Sequence, residues 1–283
     1  MPQPAAVAAE APPPPPQPLP LRRHWYCEIL EASARSVVAD WRAKVEWLEA
    51  LPQPPGYERH SDVCNAAAGR PDALERLRWL RSRGFPVSCR SAWAAARAGN
   101  VAALEYVLAE GVHMEEDLAT LAAKEGRLEV LAMLHARSCP MDPMAVASQA
   151  AEGGHLAVLA WAVEALGVDV AAVPGLADQA ASTGNVELVA WLRGRGCAWS
   201  EDTFLAVAES GCEEALELLV AGCCPMGENG EPYLAAARNS DPHTLHVLQR
   251  LGCPWGPAGR VFTAYLKCCW RGSALTEASA PHM

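Results

Sequence analysis

The ten residues A-A-K-E-G-R-L-E-V-L at 122–131 contain the pattern that decides the fold. Two small residues and two variable ones lead to a glycine, and an amphipathic stretch follows. The same phrase recurs along the chain, with the glycine or its substitute, here called the anchor, at 69, 99, 126, 154, 184, 211 and 240. The anchors are 27 to 30 residues apart, so the sequence predicts a repeat protein.

A second phrase follows each anchor by about twelve residues. It is G-C-P-W at 252–255 and has related forms in the other periods, such as S-C-P-M at 138–141. The first occurrence, G-F-P-V at 84–87, comes three residues late, which we interpret as an insertion within Arg70–Leu77. Each period therefore ends in a turn.

Each period is expected to form two short helices. Helix A runs into the small pair and ends at the anchor glycine, where a left-handed residue is needed. Asp142 and Ser200 are placed to cap the starts of two A helices. Helix B has apolar residues with the spacing of a helical stripe. In one period these are Leu128, Val130, Leu131, Met133 and Leu134.

Such short helices must be held by their neighbours, because isolated helices below about 12 residues are marginal in water. This predicts an all-α solenoid of seven or eight stacked antiparallel helix pairs, curved with the A helices on the concave side. We assign residues 1–23 to a disordered proline-rich leader, 24–270 to the repeat array and 271–283 to a disordered tail. Residues Trp25–Leu51 are interpreted as a more polar N-terminal cap.

Three helix B openings resemble the ankyrin repeat: G-R-L-E-V-L at 126–131, G-H-L-A-V-L at 154–159 and G-N-V-E-L-V at 184–189. The resemblance extends over about residues 60–255. This part of the sequence is similar to divergent ankyrin arrays of the W-L…G-C-P-W type found in algae and protists. The period is shorter than the 33 residues usual in the family, and the T-P-L-H turn is absent. The resemblance implies degenerate ankyrin-like repeats whose hairpin fingers are reduced to short loops.

The resemblance also implies that the two variable positions before each anchor face the concave surface. Their variety between constant neighbours is typical of a recognition surface, and an unused solvated face is the alternative. Ala98, Gly153 and Ser210 also fill such positions. The partner-binding residues implied in this way, here called the concave stripe, are Arg97, Lys124, Glu125, Glu152, Ser182, Thr183, Glu209, Arg238 and Asn239.

The charge distribution argues against nucleic acid as a partner. The formal net charge is −10, whereas phosphate binding needs a concentrated basic face. Residues 59–100 carry eight Arg and three acidic residues, and residues 141–237 carry two Arg and fourteen acidic residues. A protein partner with a basic surface would be steered to the second region, although solvated helix faces would give the same pattern.

No catalytic motif occurs, whether G-x-S-x-G, H-E-x-x-H or a phosphate-binding glycine loop. We therefore expect a non-enzymatic binding protein with no cofactor, metal, small-molecule substrate or membrane segment. Cys223–Cys224, with His243 and His246 nearby, raises zinc as an alternative. Four cysteines instead share one turn position of the repeat and are interpreted as small buried apolar residues. These are Cys139, Cys197, Cys223 and Cys253.

The eleven cysteines indicate a reducing compartment, because their number is odd and no secretory signal precedes them. We expect a cytoplasmic protein, with the nucleus as the alternative. Tryptophans at repeated positions are expected in the core, namely Trp79, Trp161, Trp191, Trp199 and Trp255. Others are outside the pattern, and one of them could anchor a partner; these are Trp25, Trp93 and Trp270.

The leader contains five consecutive prolines at 12–16 and two more at 18 and 20. Such a run adopts polyproline II and is the kind of ligand that SH3, WW or profilin-type domains bind. This gives a second functional hypothesis, an adaptor whose leader recruits one protein and whose array binds another. Compositional bias of the coding sequence would also explain the run.

Overall fold

The computed structural model describes residues 22–113, 117–257, 259 and 261. Sixteen α-helices in this part of the chain form eight consecutive pairs, each with an A helix and a B helix. The A helices are α1 (Arg23–Arg35), α3 (Asp62–Ala68), α5 (Cys89–Ala98), α7 (Asp117–Lys124), α9 (Pro143–Glu152), α11 (Leu176–Ser182), α13 (Glu201–Ser210) and α15 (Glu231–Arg238). The B helices are α2 (Trp41–Ala50), α4 (Ala73–Ser82), α6 (Val101–Ala109), α8 (Leu128–Ala136), α10 (Leu156–Leu166), α12 (Val186–Gly194), α14 (Glu213–Ala221) and α16 (Pro242–Arg250).

The predicted all-α solenoid of ankyrin-like helix pairs is confirmed. Each helix packs on its partner, every A helix packs on the A helix of the next pair, and most B helices pack on the next B helix. Connections are short, and within the described ranges none contains a β-strand. Every helix in those ranges is too short or too polar to cross a bilayer. The leader up to residue 21, the tail 271–283, Cys268, Cys269 and Trp270 lie outside the described residues.

The core is continuous along the array and differs between its two layers. The A helices bury small pairs such as Ala95–Ala96, whereas the B helices bury larger residues such as Leu104 and Val107. Small side chains let helix backbones approach, and successive A helices pack more closely than successive B helices do. Closer packing in the layer of A helices favours a curvature with the A helices on the inner side.

Most helix ends follow the chemistry expected from the sequence. Asp142 accepts a hydrogen bond from the Met144 amide at 2.9 Å, and Ser200 accepts one from the Thr203 amide at 3.2 Å. A left-handed residue stands at the anchors 99, 126, 154, 184 and 211, and Ser240 adopts it too, with φ of 55°. Gly69 is the exception, because its φ is −83°.

The exception arises because the first anchor was placed in the wrong register. The buried small pair of α3 is Ala67–Ala68, directly before Gly69, whereas in α5 the pair lies three and four residues before the anchor. The buried residues Arg76, Leu77 and Leu80 of α4 then lie one residue farther from the small pair than Ala103, Leu104 and Val107 of α6 do. The predicted three-residue insertion within Arg70–Leu77 is therefore wrong, and one extra residue is present.

The turn cysteines also need one correction. Cys197 and Cys253 are buried as predicted, and Cys139 is half-buried, but Cys223 is exposed with φ of 56°. Cys224 is the buried one, and its amide bonds to the Leu219 carbonyl just as the Cys253 amide bonds to that of Leu248. Cys223 therefore occupies the left-handed position that Gly252 holds in the last turn.

Replacing Cys223 with glycine is expected to stabilise the protein. The left-handed conformation costs a residue with a side chain roughly 1–2 kcal/mol, and glycine removes this cost. Glycine also raises the conformational entropy of the unfolded chain, which offsets part of the gain in stability. We expect a gain of about 0.5–1 kcal/mol, measured by chemical denaturation under reducing conditions. Cys223→Ser keeps the strained backbone and serves as the control, so an equal gain in both variants would contradict the explanation.

The tryptophans divide into two groups. Trp79, Trp161 and Trp191 pack against the core and Trp199 is buried, as predicted. Trp255 was expected in the core but is 50% exposed, because its ring stacks on the Tyr233 ring at 4.1 Å from the outside. Other tryptophans have large exposed surfaces; these are Trp25, Trp47 and Trp93. The N-terminal cap is thus less polar on its surface than its sequence indicated.

Candidate partner-binding surface

The concave stripe lies at the C-terminal ends of the A helices, beside the turns that lead to the B helices. Arg97, Lys124, Ser182, Glu209 and Arg238 are all exposed, while the small pair just before each of them is buried. Successive helix positions are about 100° apart, so the pair faces the core and the next two positions face solvent. The predicted exposure is therefore present, and each repeat contributes a different side chain.

In the middle of the array, the stripe residues pair with one another across adjacent repeats. Arg97 Nε lies 3.0 Å from Glu125 Oε1, and Lys124 Nζ lies 2.7 Å from Glu152 Oε1. The hydrogen bond from Lys124 lowers the pKa of the Glu152 carboxyl. Exposed pairs of this kind add little stability. They form a surface on which positive and negative side chains alternate. A partner with charged side chains could replace one member of each pair.

Farther along the array, the stripe residues Ser182 and Thr183 are uncharged and bond to the end of their own helix. The Ser182 hydroxyl donates to the Gln179 carbonyl, and the Thr183 hydroxyl donates to the Ala180 carbonyl, both at 2.7 Å. Each hydroxyl oxygen can still accept a hydrogen bond from a partner. Arg238 pairs with Glu231 on its own helix at 3.1 Å.

Asn239 has a structural role that the sequence did not indicate. Its Nδ2 donates to the Glu209 carbonyl of the preceding A helix at 2.9 Å. That carbonyl belongs to the last turn of α13, where acceptors have no partner within the helix. Asn239 is therefore a weaker candidate for partner contact than the other stripe residues.

A series of similar bridges, which no sequence pattern indicates, joins most of the repeats. The first residue after the anchor reaches back to a carbonyl at the end of the preceding A helix or in its turn. The contacts are Asn100 Nδ2 to Arg70 O at 3.2 Å, Arg127 Nε to Arg97 O at 2.7 Å, His155 Nε2 to Lys124 O at 3.0 Å and Asn185 Nδ2 to Gly154 O at 3.1 Å. Asn100 and Asn185 also cap their own B helices.

Gly153 is not a free recognition position, although it precedes an anchor. A Cβ atom built on Gly153 would lie 2.3 Å from the carbonyl oxygen of Lys124 and 2.6 Å from the His155 ring. The bridge from His155 brings these groups together. Glycine is present because a neighbouring backbone passes close to it. Packing therefore explains why this position holds a glycine here and larger residues in other repeats.

The two regions of unequal charge behave differently in the folded protein. Much of the positive charge of residues 59–100 is neutralised by carboxylates from adjacent repeats. Arg59 and Arg83 both bind Glu49, whose side chain is 7% exposed, and Arg81 binds Glu110. In residues 141–237, most acidic side chains are exposed, including Glu164, Glu187, Glu201, Asp202, Glu209, Glu214 and Glu228. The exposed negative charge of the array is therefore concentrated in residues 141–237.

The residues of the zinc alternative differ in their exposure and contacts. His243 and His246 are exposed as predicted, and His243 Nε2 lies 2.9 Å from Glu213 Oε2. Cys224 is buried, and burial raises the pKa of its thiol to about 11, so the metal-binding thiolate is disfavoured at neutral pH. Cys223 is exposed on the turn beside it.

One other group of side chains has donor atoms close enough for a cation. Among the described residues, Glu31, His60 and Asp62 place one ligand atom each within 4.8 Å of the others. All three are half-buried, and His60 Nδ1 lies 3.4 Å from Asp62 Oδ2. One nitrogen and two carboxylate oxygens are donors that several divalent metals accept. The concave stripe does not include this group.

Comparison with known proteins adds little beyond this geometry. No family model matches the chain, and no curated protein is similar to it. One similar solved structure is the human ASB11 ankyrin repeat domain, which is 18% identical, covers 72% of this chain and 96% of that domain, and gives a TM-score of 0.47. At that level the comparison supports no argument about partners. The fold rests on the described helices themselves, which form eight stacked pairs.

Proposed function

We propose that this protein is a non-enzymatic scaffold that binds a protein partner on the concave surface of its A helices. The supporting observation is the concave stripe, where exposed side chains change from repeat to repeat beside a small pair that stays buried. Such a surface offers many independent contact positions on one rigid support. We place the protein in the cytoplasm or nucleus, which suits the nine free cysteines among the described residues.

The partner is expected to present a basic surface to residues 141–237. Exposed carboxylates such as Glu209 and Glu201 attract positive charge, whereas the arginines of residues 59–100 are largely paired within the array. Charge of one sign concentrated in one half steers an oppositely charged protein and accelerates association. We expect no nucleic acid, membrane or small-molecule substrate among its partners.

Capture from extracts of the native cell tests the proposal, with the full chain as bait. The stripe variant carries Lys124→Ala, Glu152→Ala and Glu209→Ala, which removes the ion pair of Lys124 and Glu152 and one further exposed carboxylate. The expected result is a protein that the unmodified chain captures and the stripe variant loses. Circular dichroism and the melting temperature would show that the variant remains folded.

The control variant carries Glu105→Ala, Arg137→Ala and Glu187→Ala on the B helices and in the turn after α8. It also removes one exposed inter-repeat ion pair and one further carboxylate, so its net charge changes equally. The control should keep the partner. Equal loss from both variants would indicate a purely electrostatic contact, and retention by the stripe variant would overturn binding on the concave surface.

A further inference from the structure

The first helix pair exposes a group of large apolar side chains at the N-terminal end of the array. Trp25 and Ile29 on α1 are 53% and 41% exposed, and Trp47 on α2 is 62% exposed. We call these three residues the end surface. Isolated exposed apolar residues are common in proteins, but these three lie on the side of the first helix pair that, in later pairs, packs against the preceding repeat.

In later repeats, the position of Ile29 contacts the preceding A helix. Ile29 lies four residues before Ser33, the first member of the last buried pair of α1. Ser91 and Thr203 have the same position in α5 and α13, and their hydroxyls bond to Asn65 of α3 and Asp178 of α11. Trp25 lies one further turn before Ile29 on the same side of α1.

The position of Trp47 likewise contacts the preceding repeat. Trp47 directly precedes the buried Leu48, as Trp79 directly precedes the buried Leu80. The ring of Trp79 packs edge-on against Trp41 of the preceding B helix, with centroids 5.1 Å apart. Trp161 packs in the same way against His135, at 5.8 Å. The end surface is therefore a repeat-stacking surface with no described helix pair before it.

We propose that the proline-rich residues 11–20 of this chain fold back over the end surface and cover Trp25 and Trp47. The Tyr26 hydroxyl donates to the Leu48 carbonyl at 3.1 Å, which places the start of α1 beside the end of α2. Both tryptophans therefore lie at the end of the pair where the leader enters. The Arg22 guanidinium already lies over the Trp25 ring, 5.6 Å from its centroid.

The leader has the length and chemistry for this contact. Residues 11–20 in a polyproline II conformation span about 31 Å, which exceeds the roughly 8–10 Å between packed helices. Proline-rich segments bind in grooves lined by aromatic rings, since their extended shape is already formed. Residues 1–21 contain nine prolines, so they are poorly suited to form another helix pair.

This contact goes beyond the proposed function, because it involves the end of the array and not its concave surface. It would use the same prolines that the adaptor hypothesis assigns to a second protein. A covered end surface is also what repeat arrays require, since their terminal units need a capped outer face for solubility.

Hydroxyl-radical footprinting with mass spectrometry tests the proposal on the full chain. The comparison is a variant in which the prolines at 12–16, 18 and 20 are replaced by serine. We expect the oxidation rates of Trp25 and Trp47 to rise severalfold in this variant. Trp93 and Trp255, which are exposed elsewhere on the array, are internal controls whose rates should not change.

Two outcomes would overturn the proposal. Equal oxidation of Trp25 and Trp47 in both proteins would show that the prolines do not cover the end surface. Protection that increases with protein concentration, together with a dimer by light scattering, would assign the surface to a second copy of the chain. Because the variant leaves every described residue unchanged, loss of folding is not expected to confuse either result.

Discussion

Replacing Arg76 with alanine is expected to lower the free energy of unfolding by about 2–4 kcal/mol. Arg76 is 2% exposed and lies where other B helices bury small or apolar residues. Its Nε donates to Asp72 Oδ1 at 2.7 Å, its Nη1 donates to the Ala34 carbonyl at 2.6 Å, and the guanidinium lies over the Trp41 ring. Alanine would remove all three contacts and leave a buried carbonyl without a donor.

Chemical denaturation of Arg76→Ala and Arg78→Ala would measure this effect. Arg78 lies on the same helix and is exposed, so its loss should change stability by no more than about 0.5 kcal/mol. Arg76 also lowers the pKa of the Asp72 carboxyl below its ordinary 3.8. The contribution of this ion pair to stability is complete at a pH above the pKa of Asp72 in the unfolded chain. It is lost as the pH falls through the lower pKa of Asp72 in the folded protein. The difference between wild type and Arg76→Ala should therefore narrow below about pH 4; equal destabilisation by both variants would contradict the assignment.

Replacing Gly153 with alanine is expected to destabilise the array by about 1–3 kcal/mol. The φ of Gly153 is −80°, which any residue adopts, so the backbone itself is not strained. The cause is the short approach of the Lys124 carbonyl, 2.3 Å from the position of the new Cβ atom. To make room, α7 and α9 would have to separate at their C-terminal ends, which would weaken the contact of His155.

Gly194→Ala is the matched control for that substitution. Gly194 is the last residue of α12, and a Cβ atom there would meet nothing within 4 Å. Alanine has a higher helix propensity than glycine by up to about 1 kcal/mol, so this variant should be neutral or more stable. The melting temperature should fall for Gly153→Ala and stay equal or rise for Gly194→Ala, and a similar small shift in both would show that the contact at Gly153 is easily relieved.

The fold was predictable because burial in this chain follows the repeat. Pairs such as Ala95–Ala96 and Ala122–Ala123 are buried at the same step before an anchor, and the apolar stripe follows at a constant distance. The predictions were wrong where the same residue types occupy different structural positions. N-A-A-A-G at 65–69 resembles the repeated phrase, yet its buried residues are the last two alanines. Cys223 and Cys224 are the same amino acid in two different backbone conformations.

The candidate surface was predictable in its exposure but not in its contacts. Arg97 with Glu125, and Lys124 with Glu152, are each 28 residues apart, which is one repeat period. Comparing charges one period apart would have found both pairs. The bridges of Asn100 and His155 leave no such signal, because their acceptors are backbone carbonyls that any residue provides.

Those bridges give the array a direction. Each has its donor side chain in one repeat and its acceptor in the repeat before it, so the two sides of a broken interface are not equivalent. When a following repeat opens, the A helix before it loses the groups that satisfied its last carbonyls. When a preceding repeat opens, Asn185 still caps its own helix. Local unfolding should therefore spread more readily from the C-terminal end toward the N-terminus than the reverse, a polarity that amide hydrogen exchange along the chain would display.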